Sequence, residues 1–155
     1  MGVQEINHFL AISDRIGTSG QPTRGQFEDI KLAGYEVVVN LAMPDSENAI
    51  PDEGSLVASK GMRYVHIPVV WQEPTLDDLS FFRETMDSHT KQKVFVHCVV
   101  NMRVSAFTFL YRVISLKADP VEAKTRMAEI WEPQGVWEMF VDEALQERGV
   151  DYFNL

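Results

Sequence analysis

Cysteine is nearly absent from this sequence: Cys98 is the only one in 155 residues, which excludes an internal disulfide. Basic residues are also scarce, 14 lysines and arginines against 23 aspartates and glutamates, for a net charge of −9. That balance argues against a nucleic-acid or anionic-membrane partner, which attracts the opposite sign. Apolar runs are only a few residues long, too short to span a bilayer. The first ten residues carry Glu5, Asn7 and His8 where a secretory peptide needs an apolar core, so a cytoplasmic location is expected. His8, His66 and His89 lack the close pairing of a metal site. Repeats, low-complexity tracts and long linkers are missing too, and the length suits one domain over 1–155. Such a chain buries roughly two-thirds of its unfolded surface and needs no disulfide or structural metal.

What is present alternates between strand and helix signals. Residues 9–16 read as an edge strand and Thr18–Pro22 as a turn. Thr23 with Gln26 forms a capping box for a helix that Gly34 ends. Val37–Leu41, Met62–Ile67 and Val94–His97 are further strands, the first a continuous apolar run suited to cover on both faces. Gly54–Lys60 is a short helix, and Thr75 with Asp78 caps another. Val104–Leu116 is apolar almost all round, the pattern of a helix buried within the domain. Asp119-Pro120 with Glu122 opens one amphipathic helix, and Pro133 opens a last one. The predicted architecture is a three-layer α/β/α domain around a mostly parallel sheet of four or five strands. Nine acidic and three basic residues fall in 119–155, so an anion site belongs to the earlier part of the chain.

The stretch with chemical content is Val94-Phe-Val-His-Cys-Val-Val-Asn-Met-Arg-Val-Ser105. A buried strand leads into Cys98, a short loop follows, and Arg103 stands at the mouth of a helix. Amides of Val99, Val100, Asn101 and Met102 can curl into a nest for an oxyanion, and the helix adds its positive end. Arg103 offers a planar fork for two phosphate oxygens. The same positive field favours a thiolate at Cys98, a nucleophile that Ser105 can assist with a hydrogen bond. The plainer reading is a buried structural cysteine at a strand end. The strand–loop–helix setting, the polar ring of His97 and the need of Arg103 for an acceptor weigh against it.

His97-Cys98 with its loop, arginine and nearby serine resembles the phosphate-binding loop of the protein tyrosine and dual-specificity phosphatases. Thr18–Pro22, Val38–Leu41 and Tyr64–Val69 are similar to segments of small bacterial phosphatase-like proteins, so the resemblance spans most of residues 8–117. It implies the cysteine-phosphatase fold, a cysteinyl-phosphate intermediate, an acidic proton donor and no metal or other cofactor. It also implies a phosphorylated small molecule or phosphoprotein as substrate. Glu73, in Trp71-Gln-Glu-Pro74, is the first candidate for the donor and Asp77 the second. Three departures stand out. Four residues rather than five separate Cys98 from Arg103; Asn101 occupies the place of a glycine, though asparagine tolerates a left-handed backbone; and Ser105 lies two residues past the arginine.

Two alternatives use the same residues. Rhodanese-like sulfurtransferases commonly have the four-residue spacing, and a persulfide on Cys98 would use the same nest. Their usual Asp-x-Arg after an earlier strand is missing, since Val39-Asn-Leu41 leads to Ala42-Met-Pro44. A module that binds phosphate or sulfate without turnover is the third reading. The oligomeric state is left open.

Overall fold

The computed structural model describes residues 2–155. Five strands form one sheet in the order β1-β2-β5-β3-β4: β1 (Leu10–Ala11), β2 (Ile16–Ser19), β3 (Val37–Asn40), β4 (Arg63–His66) and β5 (Val94–His97). Only β1 is antiparallel; β2, β5, β3 and β4 run parallel. Such strands need helical crossovers, supplied by α1 (Gln26–Leu32), α2 (Glu53–Ser59) and α3 (Leu76–Asp87). After β5 come α4 (Met102–Leu110), continued by a π-helical turn Tyr111–Ser115, then α5 (Pro120–Met127) and α6 (Val136–Leu145).

The alternation of side chains divides the core in two. Val38 and Phe95 face α1 and α2, joining Phe27, Ile30 and Val57. Val37, Val39, Val94 and Val96 face the other helices, among them Phe82 of α3, Phe107 of α4 and Trp137 of α6. The three-layer α/β/α arrangement with a mostly parallel sheet is therefore present.

Several boundaries differ from expectation. Residues 9–16 are not one edge strand. Ser13 Oγ accepts from the amides of Arg15 and Ile16 and turns the chain, leaving a two-residue β1 and starting β2 at Ile16. Thr18 and Ser19 thus belong to an interior strand rather than to a turn. The box at Thr23 forms, with Gln26 Oε1 accepting from the Thr23 amide at 2.9 Å, but regular helix starts only at Gln26. The last helix starts at Val136 instead of Pro133, after Gly135 at φ +62°. The buried helix begins at Met102, two residues early, because Asn101 reverses the chain with φ +70° and its carbonyl accepts from Ser105 N at 2.9 Å.

Candidate active site

The carboxyl ends of the parallel strands hold a polar row in register: Ser19, His97, Asn40 and His66. This edge is where open α/β sheets bind ligands. Beyond it, Cys98 follows β5, Val99–Asn101 make the loop, and Met102 and Arg103 form the first helical turn. The amides of that turn have no carbonyl four residues back to bind.

The loop is fixed from outside. Gln21 N donates to the Val99 carbonyl at 3.0 Å, which turns the amide of Val100, in the same peptide plane, the other way. Gly20 permits this approach, since a Cβ there would lie 2.5 Å from the Val99 oxygen. Asn101, fully buried, donates through Nδ2 to the His8 carbonyl at 2.8 Å and to Thr18 Oγ1 at 3.1 Å. The asparagine in the glycine's place is thus both a left-handed hinge and a tie to the β1–β2 hairpin.

Cys98 contributes no accessible surface and packs in the cluster that contains Val96 and Val104. Arg103 is half-buried; its Nε donates to the Val69 carbonyl at 2.9 Å, and its guanidinium carbon lies 5.3 Å from the centre of the Trp71 ring. Its two terminal nitrogens have no partner among the described residues. Ser105 donates to the Met102 carbonyl at 3.0 Å, spending its proton on its own helix. Glu73 is exposed on the loop beyond Trp71, and Asp77 is exposed in the first turn of α3. Cys98, the loop and Arg103 are thus one unit, joined through Val69 and Trp71 to the segment carrying Glu73.

His97 does not lie alongside the sulfur. Adjacent strand residues point to opposite faces, and its ring lies in the α1/α2 layer. There Nε2 is 2.6 Å from Glu53 Oε2, with both side chains buried. Glu53 Oε1 accepts from Gln21 Nε2 at 2.8 Å, and His97 Nδ1 is 3.4 Å from the Cys98 carbonyl. Burial pushes the Glu53 carboxyl upward, but the hydrogen bond and charge of His97, with Gln21 and Tyr64, more than reverse this and hold it below its ordinary value. Burial first, then Glu53, pushes the Tyr64 hydroxyl up to about 12, so it stays protonated. Glu53 and Gln21 escaped sequence reasoning: an acid after Pro51-Asp52 looks like common first-turn charge, and only the fold brings it 44 positions along to His97.

A stability prediction follows from the sign of that shift. The ionised Glu53 stabilises the fold above its ordinary value of 4.5, and this is lost as pH falls through the lower folded value. Urea denaturation of Glu53→Gln should show a loss of roughly 1.5–3 kcal/mol at neutral pH, the scale for losing a buried hydrogen bond to a charged group. The gap to wild type should narrow on acidification; a gap independent of pH would contradict it.

Among the described residues no three His, Cys, Asp or Glu side chains converge as metal ligands, and no helix is long and apolar enough to cross a membrane.

Known proteins align with this geometry. A candidate phosphatase of the DUF442 family from Shewanella putrefaciens CN-32 is 35% identical, with a TM-score of 0.85, over 96% of this chain and 97% of its own. The chain belongs to the DUF442 family. The fold is that of the protein tyrosine and dual-specificity phosphatases: PTPMT1, solved with PI(5)P, superposes with a TM-score of 0.77 at 14% identity, over 91% of this chain and 96% of its own. A "Beta-lactamase hydrolase-like protein" of Xylella fastidiosa (strain Temecula1) is 31% identical over 118 residues, 72% of this chain. The matched segment spans only 27% of that relative's length. No family model matches the chain. This DUF442 chain is accordingly phosphatase-like in fold and in relatives.

Proposed function

We propose that this protein is a cysteine-dependent phosphatase that hydrolyses a phosphoester through a cysteinyl-phosphate. The observation that carries the reading is the seating of Arg103. Its Nε and flat face are held by Val69 and Trp71, which leaves the two terminal amino groups available to bind an oxyanion.

In the first step Cys98 Sγ forms a bond to phosphorus as the bond from phosphorus to the leaving oxygen breaks. Glu73, or failing it Asp77, gives that oxygen a proton. Water then attacks phosphorus and gives a proton back to that carboxylate, the S–P bond breaks, and inorganic phosphate leaves with the thiolate and the acid restored. Amides of Val99, Val100, Asn101 and Met102, with Arg103, take up the charge on the equatorial oxygens. Because Cys98 is fully covered, the residues around it must part for the phosphoryl group to reach the sulfur. Ser105 acts as an auxiliary donor to sulfur once it leaves the Met102 carbonyl.

A second reading rests on the spacing of four residues between Cys98 and Arg103. As a sulfurtransferase, Cys98 would break the S–S bond of thiosulfate, release sulfite and hand the persulfide sulfur to cyanide. Parallel assays with an aryl phosphate and with thiosulfate plus cyanide separate the two. Phosphate release that saturates with substrate, without thiocyanate above background, is the expected result. Thiocyanate formation without phosphate release would overturn it.

A further inference from the structure

A second concavity lies outside the Cys98 loop. Between the loop Gln72–Pro74 and the start of α6 runs an open groove of about 700 Å³. Pro74, Val136 and Met139 supply its apolar surface, and Val136 and Met139 are 52% and 61% exposed. Glu73, Glu138 and Glu143 stand around it. It continues, across Pro74 and Glu143, into a depression of about 310 Å³ that adds the exposed Leu76 and Asp77. No lysine or arginine lines either concavity.

A row of exposed apolar side chains whose charged edge is made only of carboxylates has a basic, apolar segment as its complement. We infer that the groove docks a basic amphipathic peptide segment of a protein partner. Its apolar side chains would cover Val136, Met139 and Leu76, and its lysines and arginines would pair with the rim. A second copy of this chain would bring carboxylate against carboxylate on a protein of net charge −9. The groove also touches the loop that seats Arg103: Trp137 of α6 donates through Nε1 to the Trp71 carbonyl at 2.8 Å, and Trp71 lies under the guanidinium. A docked segment would brace that loop.

All three tryptophans of the sequence, Trp71, Trp131 and Trp137, pack together here, with ring centres 5.4–6.1 Å apart. Intrinsic fluorescence therefore reports occupancy. A synthetic lysine/leucine amphipathic peptide is titrated into Cys98→Ser protein, so that binding is read without turnover and stands or falls apart from the proposed chemistry. The expected result is a saturable change that a glutamate/leucine counterpart does not produce. The double variant Glu138→Lys/Glu143→Lys should weaken binding about tenfold or more, equivalent to about 1.4 kcal/mol. Met139→Ser should weaken it several-fold, and Glu36→Lys, at the amino-terminal end of the sheet, should leave it unchanged. Equal loss in Glu36→Lys, no loss in the groove variants, or equal binding of the acidic peptide would overturn the assignment.

Discussion

Replacing Cys98 by serine is expected to lower turnover of an aryl phosphate by about a thousandfold or more. A hydroxyl at neutral pH is a far weaker nucleophile than a thiolate, and losses on removing a catalytic nucleophile reach about a millionfold. The substitution also puts a hydroxyl into a site with no accessible surface, which costs about 1–3 kcal/mol if it finds no partner. Cys98→Ala removes the sulfur without adding a polar atom and should be equally inactive. Both variants are compared with wild type at a temperature well below the lower melting midpoint. Turnover within tenfold of wild type in either would remove Cys98 from the reaction. Arg103→Lys keeps the charge but loses the fork and the seat on Trp71, and it should retain much less activity than its unchanged charge would predict.

The largest loss of stability is expected at Trp137. Its ring is 1% exposed and lies 5.4 Å from Trp71, 6.0 Å from Phe107 and 5.6 Å from Phe140. Trp137→Ala removes these contacts together with the hydrogen bond to the Trp71 carbonyl. The expected cost is about 3–5 kcal/mol, or a fall in melting midpoint of roughly 10 °C for a chain of this size. Val121→Ala on α5, where the side chain is 55% exposed, should change stability by less than about 0.5 kcal/mol. Calorimetry of the pair checks the contrast; a Trp137→Ala loss below about 1 kcal/mol would show that the aromatic cluster does not hold α6 to the loop before Glu73.

Features set by near neighbours were legible in the sequence. Thr75 accepts from Asp78 N, and Asp119 from Glu122 N, each three residues on, so side-chain type and spacing suffice to read them. The apolar runs of β3 and β5 gave the buried strands because nothing polar interrupts them. The β1–β2 hairpin was misread because a two-residue strand has no periodicity to detect and its turn depends on the hydroxyl of Ser13. At the site, Cys98, its loop and Arg103 are contiguous and visible as a unit. The contacts that orient them are not: Arg103 reaches Val69 across 34 positions, and Asn101 reaches His8 across 93. That His97 turns to Glu53 and away from the sulfur is hidden by sequence adjacency, because successive strand residues face opposite sides.

The proposed chemistry predicts a covalent species that can be caught. Wild-type protein mixed with excess aryl phosphate and quenched in acid within the first turnovers should yield, on mass analysis of its fragments, a phosphoryl group on the peptide containing Cys98. The adduct should be absent from Cys98→Ser and from protein quenched before substrate is added. Phosphate release without any adduct on that peptide, or a sulfur adduct there after thiosulfate with no phosphoryl adduct after the ester, would contradict the account.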